Sequence, residues 1–125
     1  MNIKDYSREV FRTLAKLDKD DTNIHMLLGL VTEVGELADI YKKELAYAKS
    51  VDLVNVQEEV GDIMWYLVNF CTNNGLDLEK ILDQNVAKLL ARYPEKFSVE
   101  NATKRDLEKE RAILESKIYT VDKWD

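Results

Sequence analysis

Ile3, Tyr6, Val10, Leu14 and Leu17 recur at helical spacing, and the pattern predicts a first helix ending near the polar cluster from Asp18 to Asn23. A second helix is expected from about Asn23 to Ala48, with Leu27, Leu30, Val34, Leu37 and Tyr41 on one apolar stripe. Asp52 has the chemistry of an N-cap for a third helix that continues to about Asn73. Between Ile63 and Cys71 that helix is apolar nearly all round, which marks it as the most enclosed. Asn73-Asn74-Gly75 stops it, and Asp77 caps a fourth helix through Leu78, Ile81, Leu82, Val86 and Leu89. Tyr93-Pro94 ends the fourth, because the residue before proline disfavours the helical region. After a linker through Ser98, Thr103 and Asp106 resemble a capping box opening a C-terminal helix over about 103–119, with Leu107, Leu114 and Ile118 along one stripe. Residues 120–125 carry no periodic signal. The expectation is an all-α fold: an antiparallel helical bundle with four core helices plus a C-terminal helix, in a single domain over 1–125.

Two four-residue phrases stand out against this background. Glu33-Val34-Gly35-Glu36 and Glu59-Val60-Gly61-Asp62 each carry two carboxylates three apart in an apolar run. Three residues turn a helix by about 300°, so each pair lies on one face. The short connection from Ala48 to Asp52 makes the two helices antiparallel neighbours, with the pairs offset by about one turn, which tilt can absorb. Four converging anions repel and lose hydration, and a divalent cation relieves both. Oxygen-only donors favour Mg²⁺, with Mn²⁺ as second candidate, so Glu33, Glu36, Glu59 and Asp62 form a candidate metal site for phosphate chemistry. Singly, such pairs are usually solvated faces. The doubling, and two mid-helix glycines costing about 1 kcal/mol each relative to Ala, point to function. Close approach of the two helix backbones is the expected reason for Gly35 and Gly61.

A chain of 125 residues is one domain by length. The net charge of −6 disfavours a nucleic-acid duplex or an anionic membrane as partner. Cys71 is the single cysteine and lies in an apolar stretch, so a core thiol in a reducing cytoplasm is expected, and the N-terminus lacks a signal-peptide pattern. His25 precedes Glu36 by 11 residues, about 20° away on the helical wheel, and shares the acidic face. It is a candidate substrate contact or a structural histidine. A ferritin-like redox site would want two E-x-x-H motifs, and the chain has one histidine. The apolar stripe of the C-terminal helix implies a homo-oligomer, dimer or tetramer.

The run from His25 through Glu33 and Glu36, then Glu58-Glu59-Val60-Gly61-Asp62, then Lys88 to Arg92-Tyr93-Pro94, resembles the MazG-like all-α nucleoside triphosphate pyrophosphohydrolases over about residues 22–98. The resemblance implies Mg²⁺-dependent cleavage of an NTP or dNTP to the monophosphate and pyrophosphate in a homo-oligomeric bundle. It implies metal ligation by Glu33, Glu36, Glu59 and Asp62, and phosphate binding by Lys88 and Arg92. From spacing alone the last two are an exposed basic edge at a helix C-terminus. Many members carry a second Glu where this chain has Thr32, and Glu58 is the candidate substitute base. Glu33, Glu36 and Glu58 are thus the expected catalytic carboxylates. A phosphoribosyl-ATP pyrophosphohydrolase-like enzyme and a catalytically silent helical assembly module are the alternatives.

Overall fold

The computed structural model describes residues 1–115, and every regular element among them is helical. They fall into two compact units, one over residues 1–74 and one beginning at Gly75.

In the first unit, α1 (Ile3–Phe11) is capped by Asn2, whose side chain accepts from the Asp5 amide. It stops at Phe11 rather than Leu17. Just beyond its end, the Thr13 hydroxyl donates to the Val10 carbonyl at 2.6 Å and accepts from the Trp65 indole at 2.8 Å. α2 (Lys19–Tyr47) starts earlier than the apolar pattern predicts, because Asp18 caps it by accepting from the Asp21 amide. Asp20 and Asp21 then place negative charge at the positive end of the helix dipole. α2 closes on Ala48 in the left-handed region, φ 54°, with its N–H bonded back to Glu44. α3 (Leu53–Asn73) opens on Asp52, as expected, and carries Val68, Asn69, Cys71, Thr72 and Asn73 buried in its last turns.

α2 and α3 form an antiparallel hairpin with the most extensive helix contact of the molecule, and α1 packs on α3. The buried face of α2 corrects the expected stripe. Thr22, Met26 and Gly29 are buried, whereas Leu27, Val34 and Tyr41 are exposed, with Leu30 and Leu37 half-buried at the boundary. The buried face thus mixes Thr22, the large apolar Met26 and Gly29, and Gly29 lies there because the Tyr66 ring fills the space of a Cβ.

In the second unit, Gly75 takes φ 66° and Asp77 caps α4 (Leu78–Arg92). A short helix absent from the sequence reading, α5 (Val99–Thr103), follows its Ser98 cap. Thr103 therefore ends a helix instead of starting one, its hydroxyl donating to the Val99 carbonyl. α6 (Leu107–Glu115) begins after Asp106, whose carboxylate accepts from the Lys109 amide, and packs on α4. The rest of the expected C-terminal helix, Ile118 included, lies outside the described residues, as do residues 120–125. No helix among the described residues is long and apolar enough to cross a membrane.

Candidate active site: a carboxylate cluster on a helix seam

The hairpin register brings the two acidic phrases together. Glu33 on α2 and Glu59 and Asp62 on α3 each offer a carboxylate oxygen within 4.8 Å of the others. Glu36 stands near enough to act on Glu59 by charge and by hydrogen bonding. One oxygen of Glu33 and one of Glu59 are buried without a hydrogen-bond partner. The Glu59 carboxyl is pushed up to about 7, first by its approach to the Glu33 carboxylate, then by burial and by the charge of Glu36. Tyr6, reaching from α1, is raised as well, by burial and by the Asp62 charge. The cluster thus has negative charge in excess and unsatisfied oxygens. A hard divalent cation answers both, and the donor set of oxygens alone matches one.

The glycines of the acidic phrases do not make the close approach expected of them. A Cβ added at Gly35 or Gly61 would meet nothing within 4 Å. The close approach is nearer the start of α2, six residues before Gly35, at Gly29, where an added Cβ would overlap the Tyr66 ring. No sequence pattern marks Gly29; its meaning comes from the register that sets it opposite Tyr66. Around that ring, His25 packs edge-on at 5.9 Å and Trp65 edge-on at 4.9 Å between centroids. His25 is therefore placed against Tyr66, about two turns before Glu33 on α2. At the far end of the seam the Asn73 amide donates to the Asn23 side chain at 2.7 Å and the Lys19 carbonyl at 2.9 Å.

Glu58 is exposed, one turn before Asp62 and outside the three-carboxylate group. In the second unit, Lys88 is half-buried on α4, and Arg92 one turn later is held by the buried Glu110 of α6. Arg105 bonds the same carboxylate at 3.1 Å, and the two guanidiniums hold the Glu110 carboxyl down to about 2. The sequence reading named Glu33, Glu36, Glu59 and Asp62, three of which converge here, together with Lys88 and Arg92 on α4. It missed Tyr6, Gly29 and Tyr66 around the cluster and Glu110 behind Arg92.

One curated relative matches: the Gene 37 protein of Mycobacterium phage L5, 32% identical over 72 residues, which are 54% of this chain and 63% of that protein. The chain spans under two thirds of the length of that relative. No solved structure matches. The MazG nucleotide pyrophosphohydrolase domain matches residues 21–97, a segment that contains both acidic phrases, and the chain belongs to that family.

Proposed function

We propose that the chain is a Mg²⁺-dependent nucleoside triphosphate pyrophosphohydrolase that cleaves an NTP or dNTP to the monophosphate and pyrophosphate. One observation carries the reading: Glu33, Glu59 and Asp62 converge within 4.8 Å, with buried unpartnered oxygens on two of them, inside the family-matched segment. Glu33, Glu36, Glu59 and Asp62 would hold Mg²⁺, or Mn²⁺ in its place. The ion would supply charge neutralisation of the triphosphate and a lowered pKa for bound water.

In the reaction, water adds to the α-phosphorus, the bond from it to the oxygen bridging the α- and β-phosphates breaks, and pyrophosphate leaves with the electron pair. Glu58, exposed and unpaired among the described residues, is the candidate acceptor for the water proton. Glu33 and Glu36 hold the α2 side of the cluster against Glu59. Lys88 and Arg92 are the proposed phosphate contacts, with Arg92 oriented by Glu110, and His25 is the proposed substrate contact beside Tyr66.

The quaternary reading is a homodimer or homotetramer of a single-domain bundle with four core helices and a C-terminal helix. It is supported by the apolar residues Ile24, Leu27, Leu28, Val31 and Val34, exposed along α2 in the chain taken alone. A reduced, buried Cys71 suits a cytoplasmic protein. Pyrophosphate release over a panel of NTPs and dNTPs, with and without Mg²⁺, tests the reading. Release that requires the metal supports it, and no release from any triphosphate sinks it.

A further inference from the structure

Asn69 is the one polar residue among the largest fully buried side chains, and neither its amide oxygen nor its amide nitrogen has a hydrogen-bond partner. An amide stripped of water at both poles is held at a loss unless something completes it. Its place indicates what does. Asp62, Tyr66 and Asn69 follow one another at spacings of four and three residues, so they share the α3 face that meets α2. The pairs Gly29 with Tyr66 and Asn23 with Asn73 bracket this level, and their register sets Met26 opposite Asn69. Seven residues separate Asn69 from Asp62, about 10 Å of helix. That is the separation between phosphate and base edge across one sugar.

Resting on the reaction proposed above, we infer that Asn69 reads the base of the nucleotide, and that the base is a single-ring pyrimidine. The amide presents an acceptor beside a donor, which pairs with the edge of a pyrimidine or a purine alike, so the space around it decides the ring. Tyr66, with His25 and Trp65 packed on it, supplies an aromatic surface between the carboxylates and the amide, at the level of the sugar and the base face. Met26, which the register sets at this level of α2, and Val68, next to Asn69 in the chain, are both fully buried. Swinging the unbranched Met26 side chain aside frees about one side chain's volume, which a six-membered ring fills and a fused purine exceeds.

The test compares wild type with Asn69→Leu and Asn69→Ala, full chain throughout, in kcat/KM for dCTP, dUTP, dATP and dGTP. Wild type is expected to favour the pyrimidines by about ten- to a hundred-fold, the value of one good two-point amide contact, and both variants should lose that preference. Asn69→Leu should also fold and melt no lower than wild type, since it removes an unmet amide. An absent pyrimidine preference in wild type, or one that survives in both variants, overturns the proposal and leaves Asn69 a packing residue. If wild type cleaves no triphosphate, the reaction above fails separately. Calorimetric binding of dCMP, dUMP, dAMP and dGMP then applies the same two criteria to Kd.

Discussion

Among the described residues, carboxylates are drawn partly or wholly out of water on the α2–α3 seam and behind α4, and the two places treat them oppositely. On the α2–α3 seam, Glu59 meets Glu33 and Glu36 and its carboxyl rises to about 7. Behind α4, Glu110 meets Arg105 and Arg92 and its carboxyl falls to about 2. In the second the carboxylate is fully met: two guanidiniums share it, and its oxygens accept from both at 3.0–3.2 Å. The first lacks a positive partner and keeps two oxygens unpaired. A fold built for stability alone would resemble the Glu110 site. The unbalanced charge of the seam suits the cation proposed above, which would carry the missing charge.

Removing a ligand should break the difference most sharply. Asp62→Ala or Glu36→Ala is expected to cut pyrophosphate release by about two orders of magnitude or more, as loss of aimed electrostatic stabilisation does. The metal-free fold should survive, or melt higher, because a like charge has been taken from the cluster. Full activity in either variant would falsify the metal assignment.

Glu110→Ala should do the reverse, lowering the melting temperature first. It leaves Arg92 and Arg105 facing each other without the buried carboxylate between them. Lys88→Ala, which breaks no ion pair among the described residues, should raise KM or lower kcat without lowering the melting temperature, so the α4 cations separate by assay. An unchanged melting temperature in Glu110→Ala would show that the ion pair is not structural.

Gly29→Ala forces a methyl into the Tyr66 ring and should destabilise the chain by about 1–3 kcal/mol, read by denaturant melts. Activity should fall with it, since the same contact sets the level at which Glu33 faces Asp62. A neutral Gly29→Ala would mean that Tyr66 moves freely off α2.

The two carboxylates also predict opposite pH dependence for the metal-free chain. Glu59 binds its proton more tightly folded than at its ordinary 4.5, so its contribution is complete below that value and lost as pH rises through about 7. Glu110 binds its proton less tightly folded, so its contribution is complete above 4.5 and lost as pH falls through about 2. Melting temperatures without metal should therefore decline from pH 5 to pH 8, and Glu59→Gln should flatten that decline. Added Mg²⁺, which competes with the Glu59 proton, should stabilise more at pH 8 than at pH 6.

The sequence carried the acids and the caps because their signals are local. Spacing alone puts Glu33 with Glu36 and Glu59 with Asp62, and Asp52 and Asp77 cap the helices they precede. What it hid depends on register or on distant partners. Asn69 sits inside the apolar run from Ile63 to Cys71, and its burial follows only from the hairpin that closes over it. Arg92 read as a free cation because Glu110 stands 18 residues on, across the α4–α6 contact. The five residues of α5 are too few to show a period. The α2 stripe misled because helix periodicity identifies an apolar face without saying what covers it.

The smallest effect tests the point on which sequence and structure differ most. Gly35 and Gly61 stand in the acidic phrases as if they let the helices touch, yet each has open space where a Cβ would go. Within a helix and free of crowding, Ala restricts the unfolded chain more than Gly does. Gly35→Ala and Gly61→Ala should therefore each stabilise the fold by about 0.5–1 kcal/mol, measured by urea melts at a concentration where the chain is monomeric. Measured again at higher concentration, the gain should persist if solvent faces these positions. A gain that reverses as the chain associates would put a second copy against the glycines, so that the close approach expected from the sequence would lie between chains.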